Sequence, residues 1–223
     1  MSKQEAYEAL VAKRKSFKFA DGLTNPADTP FDVDEIEPWA QWQNNLNATV
    51  LVVGQEFSDV GTYIKTEGKV ERYPEKYEYP SNKNLNEFCS LIGLDVGHPY
   101  APNRTNPVFF TNAVMALKSG AMSANFKDSW LKESREEFLQ PLIEIIRPKV
   151  IIPIGTKATL SLGKTYGFPV GSHADMVRTS PVCVVGGPMI FPVYHTGGLG
   201  LRNRSKLLQI EDWKRIKDHL SLS

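Results

Sequence analysis

Cysteine is scarce in this chain. Only Cys89 and Cys183 occur in 223 residues, far apart and each in apolar surroundings. Two thiols cannot complete a four-thiolate zinc or iron–sulfur site, so no metal or other cofactor is expected. They read as core thiols of a cytoplasmic protein, since reducing compartments disfavour disulfides. Long apolar runs are also missing, and none nears the ~20 residues of a membrane span. The start, Met1-Ser2-Lys3-Gln4-Glu5, leads into a polar helix without a signal-peptide core. Neither charge sign prevails: 26 Lys and Arg against 25 Asp and Glu leave a net charge of +1. A nucleic-acid partner would therefore be held by a local patch and not by a global basic field. Internal repeats and low-complexity tracts are absent.

What remains is globular. Apolar residues make up 41% and charged residues 23%, enough for a proper core in one domain over 1–223. Residues 1–46 read as a helical extension packed on it. The spacing predicts an amphipathic helix over 2–18 with Ala6, Leu10 and Val11 on one face. Asp34 is placed to cap a helix over 35–45 carrying Ile36, Trp39 and Trp42. A strand over 48–54 follows, then a polar, tyrosine-rich loop over 59–84, a helix through Leu85, Phe88, Leu91 and Ile92, and a strand over 108–112. Ser129 is placed to cap a helix over 130–146, which Arg147-Pro148-Lys149 stops. Residues 150–155 form a strand whose continuous hydrophobicity suits burial on both faces, and 156–166 a helix. Residues 181–185 and 189–194 read as a strand pair. A basic helix closes the chain with Leu207, Ile210, Trp213, Ile216 and Leu220 inward. Alternating strands and helices imply a three-layer α/β/α sandwich with a mostly parallel central sheet.

Three apolar runs end in polar side chains. The first ends in Gly54-Gln55-Glu56, the second in Asn112 and the third in His195. Ligands of open α/β sheets bind outside the carboxyl ends of the strands. An acid, an amide and an imidazole on one such rim suit a site that reads a flat polar ring and cleaves a bond to it.

These segments resemble the uracil-DNA glycosylase superfamily. Gly54-Gln55-Glu56 after an apolar strand is similar to that family's first motif, and Phe110-Thr111-Asn112-Ala113-Val114 to the strand bearing its uracil-reading asparagine. The helix-to-strand stretch over 142–155 matches the family's iron–sulfur branch. Val193-Tyr194-His195, followed by Leu199, Leu201 and Arg202, resembles the closing motif. The likeness runs from about 46 to 220. The four cluster cysteines of that branch are absent here, Glu56 stands where a subgroup has aspartate, Phe57-Ser58 where it has proline and tyrosine, and Thr196 where the family has proline.

The resemblance implies hydrolysis of the N-glycosidic bond to uracil or a related damaged base in single- or double-stranded DNA, without a metal. Glu56 would stabilise the sugar cation and position water, with Asp59 as the rival acid. His195 would donate to the base oxygen where charge builds. Asn112 would donate to uracil O4 and accept from N3–H, which requires neighbours that stop its amide from flipping. Gln55 and Phe57 would line the base, and Tyr77 would stack on it, with Phe57 and Tyr79 as rivals. Gly197 and Gly198 would let phosphates approach the backbone, and Arg202, Arg204 and Lys206 would neutralise them. Leu199 or Leu201 would wedge into the vacated stack. Two other classes compete: a binder of nucleic acid or a free base that does not cleave, and a small-molecule enzyme with a phosphate at the helix start after Gly155.

Overall fold

The computed structural model describes residues 1–68, 79–99, 101–120 and 126–220. Its centre is a five-stranded sheet built from β2 (Val50–Glu56), β5 (Val108–Val114), β7 (Val150–Pro153), β8 (Val182–Cys183) and β9 (Met189–Ile190), in the order β5-β2-β7-β9-β8. All pairings are parallel except β8 with β9. Two-stranded ribbons pair β1 (Leu23–Thr24) with β6 (Leu117–Lys118) and β3 (Gly97–His98) with β4 (Ala101–Pro102).

Strand alternation sorts the core into two layers. Leu51, Val53, Phe109 and Ile151 face α1 (Lys3–Ser16), α4 (Asp128–Ser134), α5 (Gln140–Ile146) and α6 (Thr156–Tyr166). Val50, Val52, Phe110 and Ile152 face α3 (Pro80–Leu91) and α9 (Lys206–Leu220), together with Trp39 and Trp42. A central sheet with helices on both faces is thus a three-layer α/β/α arrangement. Among the described residues no helix is long and apolar enough to cross a membrane.

Several elements depart from the sequence expectations, each for a local reason. Residues 35–45 do not form an α-helix. Pro38 holds Glu37 extended at φ −166° and ψ 165°, and only a 3-10 helix, Pro38–Trp42, follows. Asp34 caps nothing and pairs with Lys15 at 2.5 Å. The helix over 128–146 starts at Asp128, not after Ser129, and is interrupted by a π-helical turn, Arg135–Leu139. Pro141 has no N–H to return to the Glu137 carbonyl, and Lys13 Nζ donates to that oxygen instead at 3.2 Å. Within 59–84, Asp59 caps α2 (Val60–Lys65) and α3 begins at Pro80.

The strand pair near the C-terminus is shorter than expected, because Pro188 and Pro192 carry no N–H for a ladder. The chain still runs beside β7, with Phe191 N–H on the Ile151 carbonyl (2.9 Å) and Val193 N–H on the Pro153 carbonyl (3.0 Å). On α9, Leu207 is exposed while Gln209 and Asp212 are buried. Cys183 is exposed and only Cys89 is a core thiol, which burial pushes up to about 12. The helix α1 is closed by a Ser2–Glu5 capping box. It is part of the main core, through Tyr7, Leu10 and Val11.

Candidate functional site

From β2 the chain winds to β5 on one side and later to β7 on the other, so the winding reverses beside β2. That reversal opens a crevice at the carboxyl ends of the strands. A cavity of about 260 Å³ occupies it, lined by Gly54, Gln55, Glu56 and Phe57 from β2 and its exit, Asn112 from β5, Ile154 after β7, and His195 and Thr196 after β9. Trp39, Tyr79, Ser81 and Leu85 are among the other residues of the wall. Glu56, Asn112 and His195 therefore meet in one space, and Gln55 and Phe57 lie beside them.

Asn112 does not close its strand, since β5 continues to Val114. It sits opposite Gly54 in the parallel register and is 2% exposed. A β-carbon at Gly54 would lie 2.2 Å from Asn112 Oδ1 and 2.9 Å from the Trp39 ring. Glycine is required there by space. Asn112 Nδ2 donates to Glu37 Oε2 at 3.1 Å, and the Trp39 backbone N–H donates to the same oxygen at 3.1 Å. Burial raises the Glu37 carboxyl to about 8, and the bonds from Trp39 and Asn112 pull it back only in part. Its second oxygen, Oε1, is buried without a hydrogen-bond partner.

Glu56 forms a buried ion pair with Lys118 from β6 (3.0 Å). That pair takes Oε1 and leaves Oε2 buried without a partner. Asp59, the rival acid, is spent on α2: its carboxylate accepts from the Thr62 N–H and hydroxyl, both at 2.9 Å. Its position just before Val60 makes it a helix cap.

His195 is held from several directions. The Gly197 N–H donates to its Nδ1 at 2.9 Å, so the neutral ring carries its proton on Nε2 and is a donor there. Burial lowers its pKa, and the nearby Glu56 charge opposes that in part; at neutral pH the ring is uncharged. The loop is tied to α3 through Thr196, whose hydroxyl donates to the Ser81 carbonyl (2.9 Å) and whose carbonyl accepts from Asn84 Nδ2 (2.8 Å). Gly200 of α8 (Gly198–Asn203) packs on the His195 carbonyl so closely that a β-carbon would sit 1.7 Å from the oxygen.

The residues expected to meet DNA separate into two groups. Gly197, Gly198, Leu199, Leu201 and Arg202 run from the histidine loop into α8, with Leu199 and Arg202 exposed. Arg204 is turned away from that role. It forms a bidentate pair with buried Asp212 (2.5 and 2.8 Å) and lies over the Tyr194 ring. Lys206 pairs with Glu87 at 2.6 Å. Tyr77 lies outside the described residues, and of its rivals Phe57 and Tyr79 both line the cavity. The helix start after Gly155 is occupied from within, because the Lys157 N–H points to Gln55 Oε1 (3.4 Å) and Lys157 Nζ pairs with Asp128.

Among the wall and support residues to which the sequence reading assigned no site role are Glu37, Trp39 and Lys118. Glu37 had a signal, being an acid amid Ile36, Trp39, Ala40 and Trp42, all of which are buried. Lys118 had none, since its partner is known only once β6 is placed. Among the described residues no group of three or more His, Cys, Asp or Glu is arranged to hold a metal. No protein-family model and no curated protein matches this chain.

Proposed function

We propose that this protein is a DNA glycosylase of the uracil-DNA glycosylase type, releasing uracil or a related deaminated or oxidised base. The observation that supports this reading is the meeting of a carboxylate, an amide and a neutral imidazole in one small cavity at the strand ends. Its size lies below the ~300–1,000 Å³ of ordinary drug-sized sites, which suits one flipped base. In this reading Asn112 bonds the base edge, and Phe57 or Tyr79 stacks on its face. The bond from the sugar C1′ to the base nitrogen breaks, and its electron pair leaves with the base. His195 Nε2–H donates to the base oxygen that gains charge. The Glu56 carboxylate lies on the side of the sugar cation and receives the proton of the water that adds to C1′. Lys118 holds the carboxylate in place through Oε1. The phosphates meet Gly197, Gly198 and Arg202, with Leu199 or Leu201 as the wedge.

The Glu56–Lys118 ion pair and the inward Arg204 favour a second reading, a protein that binds DNA or a base without cleaving it. One experiment separates the two. A single-uracil oligonucleotide incubated with the protein and treated with alkali breaks at that position if the base is released. His195→Ala and Asn112→Ala then each lower the rate by roughly 10²-fold or more, with DNA binding little changed. Salt-dependent DNA binding without release of uracil, hypoxanthine, xanthine or 5-hydroxymethyluracil, from single or double strands, supports the binder instead.

A further inference from the structure

Glu37, like the wall residue Trp39, lies outside the segment resembling a known family, and its geometry constrains Asn112. Its Oε2 faces the Trp39 backbone N–H. A backbone N–H can only donate, so that oxygen accepts, and it is an acceptor alone when the carboxyl group is charged or carries its proton on Oε1. The Asn112 amide atom 3.1 Å from the same oxygen must therefore be the NH2 group. Turning the amide over would bring its oxygen against Oε2, two acceptors in contact where neither meets water. The remaining N–H and Oδ1 together form the edge left for a ligand, with Oδ1 against Gly54, itself part of the cavity wall.

We infer that Glu37 is a positioning residue that locks the Asn112 amide in one orientation, so that the cleft accepts an imide edge and rejects an amidine edge. This rests on the reading of the cavity as a base pocket. An imide such as uracil offers N3–H to Oδ1 and a carbonyl oxygen to the N–H. Cytosine offers the reverse polarity, an amino donor and a ring-nitrogen acceptor, and a freely turning amide serves both equally. Selectivity comes from the lock and not from the amide itself. Burial raises the Glu37 pKa to about 8; the lock holds in the charged form and in the neutral form with the proton on Oε1, whereas a proton on Oε2 gives the amide oxygen a donor and releases it.

Two substitutions separate this role from the capping of the 3-10 helix. Glu37→Gln retains a carbonyl acceptor able to reach both N–H groups. Glu37→Asp retains the cap on the Trp39 N–H but is one methylene too short to reach Asn112. Free uracil and cytosine are titrated into each protein by nitrogen-resolved NMR. The side-chain signal of Asn112 is assigned by its loss in Asn112→Ala, and melting curves verify folding. Wild type and Glu37→Gln are expected to prefer uracil and to show a slowly exchanging Asn112 amide. Glu37→Asp is expected to lose about tenfold or more of that preference and to exchange the amide faster. An unchanged uracil-to-cytosine ratio in folded Glu37→Asp overturns the lock while leaving the base pocket intact. A wild type that binds neither base overturns the pocket, and the lock with it. If Glu37→Asp does not fold, loss of preference in folded Glu37→Gln overturns the lock, because that variant keeps the acceptor.

Discussion

Arg14 and Glu37 are both fully buried ionisable residues in the same N-terminal segment, yet their surroundings differ in one respect. The Arg14 guanidinium is nearly complete. It donates to Asn25, to Asp32 at 2.5 Å, and to the carbonyls of Val33 and Glu35. Asn25 in turn bonds the carbonyls of Arg14 and Phe17. Only Arg14 Nε lacks a partner. Glu37 and Glu56 likewise each leave one carboxylate oxygen without a partner, but Glu56 lines the cavity and Glu37 bonds Asn112, which does. A polar network that ends within the protein fixes the path of the chain. One that ends on cavity-lining side chains orients them, and this is the physical difference between a staple and a site.

The comparison breaks most visibly at Arg14. Arg14→Ala leaves Asp32 with Lys15 alone and strands two carbonyls, and we expect a loss of about 3–5 kcal/mol by urea unfolding. A loss under about 1 kcal/mol would mean that the network is not a staple. The next effect depends on pH. Native Glu37 keeps a proton that the unfolded chain releases, since its pKa rises from 4.5 to about 8. Its contribution is therefore full below pH 4.5 and is lost as pH rises towards about 8. Glu37→Gln does not titrate, so its stability relative to wild type should grow across that window by at most roughly 1.4 kcal/mol per pH unit. Parallel melting curves at every pH would contradict this.

Gly54→Ala drives a methyl group onto Asn112 Oδ1 and the Trp39 ring, at an expected cost of about 1–3 kcal/mol. Uracil release should fall with it, because the amide must move. The smallest effect is at Thr196, a wall residue whose bonds are complete. Thr196→Val removes one hydroxyl bond and should cost about 1 kcal/mol, measured by urea unfolding. Any larger loss of activity would report displacement of His195.

Much of this arrangement was legible in the sequence, for identifiable reasons. The apolar runs before Gly54 and before His195 read as buried strands, and their polar endings placed Glu56 and His195 on one rim. The short elements were less legible. Pro38 and Pro141 act through hydrogen bonds they cannot make, which converts one expected helix into a 3-10 turn and places a π turn in another. The inward Trp213 and Ile216 of α9 were legible, with Ile210 and Leu220 packed beside them, but Leu207 is exposed and buried Asp212 is paired by Arg204 and Arg215, partners that periodicity does not reveal. Lys118 and Glu37 lie at sequence separations of 62 and 75 from Glu56 and Asn112, as the numbering shows. Contacts of that range depend on the assembled sheet.

The 3-10 segment has one more consequence, for solubility. Strand β5 is the outermost strand of the main sheet, and all its residues are buried. On its open side Asn44 bridges Phe109, and Trp39 and Trp42 cover Phe110 at 5.2 and 4.7 Å between ring centroids. An apolar strand with a free flank is a template for strand addition from another molecule. The stretch that carries Glu37 thus also shields the sheet from self-association, and a chain shortened past residue 46 would expose an aggregation-prone edge as well as lose the lock on Asn112.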